Sequence, residues 1–334
     1  MDRALRPFGL PGHSFMPLLS AHACALPGIM AARAIPDRRE RLATILVTPF
    51  MTCSARLPVY VLVTTILFRN EPLKASLAFI GCYALGILAG VLSALLARRT
   101  IQRGPSRPMA LELPTYKRPS LRTAFISMWD RATVFLKKAG TNILAICIIL
   151  WWLSSYPLST PPAEAESLRS QAAALVTTDA GRAGELSAEA DRLSTMHQSA
   201  NSFAGRLGRL AQPVFAPLGY DWQLTVGVLT SFAAREVFVS TMAVVVAGQS
   251  EEDEGAMDAI AAARRADGTA VFTPAVCWSL LVYYVLAMQC LPTLAVTARE
   301  TGGGVAGLRW ALLQLAWMCG VAYLAGLTVF QVMR

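Results

Sequence analysis

Thr48-Pro49-Phe50-Met51-Thr52-Cys53-Ser54-Ala55-Arg56-Leu57-Pro58 lies inside an apolar run from Leu42 to Phe68. A helix needs about 20 apolar residues to cross a bilayer, and this run has them. Two prolines and an arginine nevertheless interrupt it. Proline removes a helix hydrogen bond and clashes with the preceding turn. A lipid-facing helix has no use for that chemistry. A helix that breaks where it is buried in protein does. His22-Ala23-Cys24-Ala25-Leu26-Pro27-Gly28 repeats the pattern within Phe15 to Ile35, which reads as a broken or re-entrant helix.

Composition agrees with a membrane protein. The 334 residues are 54% hydrophobic and only 15% charged, against about 25% charged in soluble domains. Further apolar spans run from Ala75 to Ala97, Ala139 to Tyr156, Trp222 to Ala247, Pro274 to Ala298 and Leu308 to Val332. The expected fold class is all-α, a polytopic transmembrane helical bundle with broken or re-entrant helices. A β-barrel would alternate every second residue instead. The amino terminus, Met1 to Pro7, lacks the apolar core and cleavage site of a signal peptide.

The formal charge of +9 is explained by basic loops that orient the chain rather than by nucleic acid, since no basic binding motif accompanies it. Loops 31–41 and 98–138 carry the Lys and Arg excess and are expected on the cytoplasmic side. The turn at 69–74 and the polar segment 157–221, where no core is evident, then lie outside. Alternation places 248–273 and the carboxyl terminus inside. Leu121, Phe125, Met128, Ala132 and Phe135 recur at helical spacing and predict an amphipathic interfacial helix.

Seven cysteines, at 24, 53, 82, 147, 277, 290 and 319, all fall in apolar segments without CxxC spacing. A disulfide framework is not expected. Cys24 and Cys53, with His22, Met51 and backbone carbonyls freed by the breaks, would make a soft or borderline divalent-metal site. Met288-Gln289-Cys290-Leu291-Pro292 repeats the theme in the second half. Residue by residue, close helix packing explains each cysteine as well as a ligand does. Glu236, beside Arg235 inside an apolar span, is costly there and reads as either a structural ion pair or an ion-path carboxylate. There is no GxxxxGK[ST] loop, GxSxG elbow or HExxH.

Several long stretches resemble the ferrous iron transport protein B family. They include Leu10 to Leu19, Cys24 to Pro27, Ala32 to Leu46, Pro49 to Pro58, Met109 to Tyr116, Phe135 to Thr141, Pro213 to Gly219, Ala234 to Val237 and Ala298 to Thr301. The resemblance covers nearly the whole chain, least at 158–200 and 249–270. It implies a bacterial inner-membrane Fe²⁺ uptake protein with two Gate-type repeats and no permanently bound cofactor, Fe²⁺ being the transported ion. The family's Gate cysteines correspond to Cys24, Cys53 and Cys290, and its Ala-Lys-Glu motif to Ala234, Arg235 and Glu236. Three features depart from it. Ala21, His22, Ala23 and Ala25 replace glycines, a phenylalanine and an asparagine. Arg235 replaces a lysine, and Ser240 a glycine.

The implied organisation is a partial first Gate with the following span over 1–97, and a cytoplasmic basic loop with amphipathic helix over 98–138. A second Gate fills 139–334, with insert 157–221 and loop 248–273. The family also has a GTP-binding domain and earlier helices, so the chain is expected to be a fragment or to work with a separately supplied partner. No GTP site is read in it. Small accessory Feo proteins and self-association are further implied partners, beside Fe²⁺ and the bilayer. Fe²⁺ would enter from the periplasm, shed water at the cysteines and be charge-compensated by Glu236. The competing readings are a Gate-type nucleoside or small-solute carrier and a non-transporting assembly subunit.

Overall fold

The computed structural model describes residues 2–100, 120–175, 179–233, 235, 237–248, 256–265 and 268–334. Among them the regular elements are helical, with one isolated bridge between Arg264 and Ala270. The architecture is a multi-pass helical membrane bundle built from two similar units.

In the first unit, α1 (Phe15–Ala21) and α2 (Ala25–Ala31) turn back on each other through His22–Cys24. Gly28 lets them touch, since an added Cβ would lie 2.8 Å from the Pro17 carbonyl. The predicted re-entrant segment is therefore present. Asp37 then caps α3 (Arg38–Val47), accepting from Arg39 N at 2.8 Å and Glu40 N at 3.2 Å. Two 3₁₀ turns, with Met51–Cys53 extended between them, separate α3 from α4 (Leu57–Leu67). The span crosses the membrane but is broken at its centre.

The straight helix α5 (Pro72–Thr100) follows. Its buried face is made of Cys82, Gly86, Gly90, Ala94 and Ala97. Gly86 lies directly against the break in α3–α4, where a Cβ would come 3.0 Å from the Thr52 hydroxyl and 3.1 Å from the Phe50 carbonyl. After residues 101–119, which lie outside the described residues, α6 (Leu121–Phe135) is the predicted amphipathic helix, and a π turn joins it to α7 (Thr141–Ser155). The polar insert forms an antiparallel pair, α8 (Ala163–Leu175) and α9 (Ala180–Asn201), where the sequence suggested no core. Four alanines, Ala165, Ala172, Ala183 and Ala190, are buried there, so small side chains supply the packing that large ones usually give. Next, α10 (Phe203–Phe215) leads to the second unit.

That unit repeats the first. Asp221 caps α11 (Trp222–Ser231), and α12 (Val237–Met242) continues through a π turn to Ala247. Burial pushes the Asp221 carboxyl above the usual carboxylate range, opposed by the Leu224 N–H and the Arg265 guanidinium. Gln223 Nε2 donates to the Val245 carbonyl at 3.4 Å, and the Thr230 and Thr241 hydroxyls lie 3.1 Å apart. The start of this run is thus beside its end. Trp222 to Ala247, expected to cross the membrane, is a second re-entrant hairpin. After a short α13 (Ala256–Ala261), α14 (Pro274–Leu286) and α15 (Leu291–Glu300) form a second broken span, and α16 (Gly304–Met333) closes the bundle. The most apolar parts of the broken spans are 50% and 67% buried, against 22% for both α5 and α16. The broken spans therefore form the interior and the straight helices face lipid.

Cross-chain contacts fix the sides. Arg98 Nη1 donates to the Pro7 carbonyl at 2.8 Å, and Arg33 pairs with Glu300. The mouth of the first hairpin thus shares the basic side with the ends of α5 and α15. On the opposite side, Arg69 pairs with Asp258, Arg265 Nη2 donates to the Gly219 carbonyl at 2.7 Å, and Gly219 abuts Phe330. The second hairpin opens there. The two units are therefore inverted repeats. The positive-inside rule predicts that the basic side is cytoplasmic. Because the second hairpin does not cross, alternation fails after it. The described part of loop 248–273 and the carboxyl terminus lie opposite the basic side, not on it. Alkaline phosphatase fused after Arg334 is expected to be active in cells and green fluorescent protein there to be dark. The reverse pattern would refute the hairpin.

Candidate ion path at the helix breaks

Each interior half-helix begins just after a cysteine or close to a proline. Cys24 precedes α2, Cys290 precedes α15, and Cys53 precedes the 3₁₀ turn into α4. All three cysteines are extended, with φ/ψ of −156°/139°, −164°/98° and −93°/161° respectively. Pro27, Pro58 and Pro292 lie in the first turns that follow, where a missing N–H costs nothing and continuation from the previous helix is blocked. At the membrane surface the same job is done by Asp37, Asp221 and Thr273, whose oxygens cap their helices. The cysteines make no such capping bond. At the start of α15 the Leu291 and Thr293 N–H groups donate instead to the carbonyls of Phe232 (2.9 Å) and Cys290 (3.1 Å).

The four breaks meet. His22 Nδ1 lies 3.2 Å from the Thr52 carbonyl, and Ser54 Oγ donates to the Ala23 carbonyl at 2.9 Å. The first tip is thus tied to the Cys53 break. Leu291 N donates to the Phe232 carbonyl at 2.9 Å, tying the second tip to the Cys290 break. Ala21, Phe50, Met51, Met288 and Met318 pack as one buried cluster between the units. Because Thr52 offers only an acceptor, Nδ1 of His22 must donate, which leaves Nε2 of the neutral ring with the lone pair. In that form Nε2 is the nitrogen able to ligate a metal.

Two arginines complete the junction. Arg56 is 0% exposed and donates from Nη2 to the Pro49 carbonyl (3.0 Å) and the Ala287 carbonyl (3.4 Å), and from Nη1 to that of Phe50 (3.3 Å). Arg235 is 5% exposed and donates to the carbonyls of Gln289 (3.0 Å) and Ala287 (3.2 Å). Both guanidiniums sit on carbonyls released at helix ends, where the helix dipole favours a cation. No ion pair to either is present among the described residues. From sequence, Arg235 reads as the neighbour of Glu236 in the family motif and Arg56 as an interruption of an apolar run.

Around the breaks, Arg56 Nε, Arg235 Nη1 and Thr293 Oγ1 are buried without a protein partner, and Thr52 Oγ1 and the Gln289 amide have only the Tyr60 and Tyr284 hydroxyls beside them. Such groups are rare in native interiors and mark hydrated or functional places. Thr52 and Gln289 hold matching positions, each directly before a break cysteine in Met51-Thr52-Cys53 and Met288-Gln289-Cys290. That internal match was a usable sequence signal for Thr52, which the motif reading passed over. Of the residues nominated from sequence, Cys24, Cys53, Cys290 and His22 lie at the breaks. Met51 is 8% exposed and packed in the methionine cluster, with its methyl group against Gly90. Glu236 lies outside the described residues. Among the described residues, no three His, Cys, Asp or Glu side chains gather closely enough to hold a metal ion together.

Comparison with known proteins adds the family. A Gate profile, described as nucleoside recognition, matches residues 1–67 and 136–304, and the profile for the ferrous iron transport protein B C terminus matches residues 79–131. A Porphyromonas gingivalis Fe(2+) transport protein A/Fe(2+) transporter FeoB fusion protein is 35% identical over 336 residues, covering 99% of this chain and 39% of that protein. The Leptospira biflexa Fe(2+) transporter FeoB is 35% identical, covering 99% of this chain and 44% of that protein. The Helicobacter pylori Fe(2+) transporter FeoB is 34% identical, covering 91% and 46%. The chain thus spans less than half the length of these relatives. No solved structure matches it significantly. With two Gate segments flanking the family's C-terminal region in one helical bundle, the chain belongs to the ferrous iron transport protein B family and corresponds to its membrane portion.

Proposed function

We propose that this chain forms the permease portion of an Fe²⁺ transporter in a bacterial inner membrane. The observation that carries the reading is the meeting of four helix breaks from two inverted units, three of them bearing a cysteine at the start of a half-helix. Thiolate and imidazole suit Fe²⁺ better than they suit Mg²⁺ or Ca²⁺. An ion path must also release its ion, so ligands spread along the breaks serve better than a closed cage. Cys24 and Cys53, with His22 Nε2, would take the ion on the first unit, and Cys290 on the second. The two buried guanidiniums repel a cation from their side of the junction, which keeps the route beside the sulfurs. Glu236 would offset their charge. A GTP-binding domain, matching the relatives' additional length, would supply energy.

Joint Cys24→Ser and Cys53→Ser replacement is expected to reduce uptake of radiolabelled Fe²⁺ to the level of cells lacking the protein, with the protein still present in membranes. Unchanged uptake would sink the ligand role. A second reading, a small-solute carrier, draws on the neutral hydrogen-bonding groups of Gln289, Thr52 and Thr293. It predicts competition by nucleosides and indifference to loss of the cysteines.

A further inference from the structure

A groove of about 470 Å³ runs between α5 and α14, in the half of the bundle opposite the basic loops. That volume falls within the roughly 300–1,000 Å³ typical of small-molecule sites. Phe68, Lys74 and Trp278 form its outer end, and Leu85 and Val285 its inner end. Lys74 and Leu85 are about 17 Å apart along α5 at a rise of about 1.5 Å per residue. One leaflet supplies half of a hydrocarbon core about 30 Å thick, so the groove is as deep as one layer of acyl chains. Gly81 keeps it open, since no other heavy atom lies within 4 Å of a Cβ built there. Leu77 at its edge is 60% exposed, so the groove faces the bilayer sideways.

Charge is confined to the outer end. Lys74, the one charged residue of the lining, pairs with Glu71 at 2.5 Å, and both side chains are at least half exposed. Arg69 in the same turn pairs with Asp258. These charges cancel, so an anionic lipid finds no net attraction there. An ammonium beside a carboxylate instead complements a headgroup that carries both a phosphate and a primary ammonium. An exposed pair of this kind adds little to the fold, and the three N–H donors of Lys74 leave it one for a second partner. The Phe68 and Trp278 rings meet edge to face at 6.0 Å at this level, as aromatic residues do beside lipid headgroups.

We infer that the groove holds one zwitterionic aminophospholipid, its acyl chain along Gly81, its phosphate on Lys74 and its ammonium on Glu71. The inner end of that chain meets Val285, whose Cγ1 lies 3.7 Å from a Cβ built at Gly86. Gly86 in turn abuts Phe50 and Thr52, so the lipid is wedged between α5 and α14 beside the Cys53 break. The site is independent of which solute the chain carries. Native mass spectrometry and thermal unfolding of the full chain test it, with phosphatidylethanolamine and phosphatidylglycerol of identical acyl chains as probes. One phosphatidylethanolamine should be retained under activation that strips phosphatidylglycerol, and should raise the melting temperature. Gly81→Leu fills the groove and should cut retention several-fold. Leucine also favours the helix over glycine, so the lipid-free variant should melt no lower than the unaltered chain. Lys74→Gln, an exposed change that leaves the core intact, should cut retention several-fold as well, and Glu71→Gln should erase the preference over phosphatidylglycerol. Full retention by Gly81→Leu overturns the inference, as does equal retention of the two lipids by the unaltered chain. A dimer that dissociates in Gly81→Leu would mean that a second copy fills the groove, and overturns it too.

Discussion

Arg56→Ala is expected to abolish uptake and lower stability by about 2 to 6 kcal/mol. The figure comes from the Pro49 and Phe50 carbonyls, which lose the guanidinium donor, at about 1–3 kcal/mol for each buried polar group left unsatisfied. The Ala287 carbonyl keeps Arg235. Removing a buried cation also relieves its own desolvation, which pulls the result toward the lower end. Function should suffer more than stability. Arg56 joins the first broken span to the second, so without it the Cys53 and Cys290 breaks lose their common anchor. Arg56→Lys keeps the charge but not the fork that reaches three carbonyls, and should fall between. Thermal unfolding of the detergent-purified protein, alongside Fe²⁺ uptake, checks this. Wild-type melting and uptake for Arg56→Ala would show that the guanidinium is a bystander.

The other large effect lies at Gly307. An added Cβ there would stand 1.9 Å from the Ala298 carbonyl oxygen and 2.9 Å from its carbon. Both are backbone atoms, so no side-chain rotation relieves the overlap. The turn between α15 and α16 cannot yield easily either. Gly302 and Gly303 hold φ of +128° and +67° in it, and Gly303 N is bonded to that same Ala298 oxygen at 3.0 Å. Gly307→Ala should cost about 3 kcal/mol, at the upper end of ordinary overpacking, and sharply reduce monodisperse yield. Gly320→Ala on the same helix is the control. Nothing lies within 4 Å of its added Cβ, and helix propensity favours it by about 1 kcal/mol. Equal melting temperatures for the two variants would contradict the packing described.

Much of the candidate site was legible locally. Pro27, Pro58 and Pro292 each remove a helix hydrogen bond and suit the first turn of a helix, so the breaks and their cysteines could be placed from sequence. The pairing of Thr52 with Gln289 was legible too, through the shared Met-x-Cys pattern. The use made of Arg56 was not. Its carbonyl partners include Ala287, 231 positions away, and an arginine beside a proline looks the same whether it pairs with a carboxylate or caps a helix end. The core of the insert 157–221 was hidden for another reason. Alanines carry little hydrophobic signal, yet they pack two helices closely once the partner is in place.

The sequence by itself determined that this is a helical membrane protein, where three of its four interior breaks fall, and which loops carry the orienting charge. Each of those follows from chemistry within a few residues. Only the tertiary structure decided that Trp222 to Ala247 turns back instead of crossing. Hydropathy measures how apolar a run is and carries no direction past a break. The direction of α12 is set by contacts between distant ends of the run, Gln223 with Val245 and Thr230 with Thr241. That one reversal inverts the second unit, moves the carboxyl terminus to the far side, and brings the Cys290 break against the first unit.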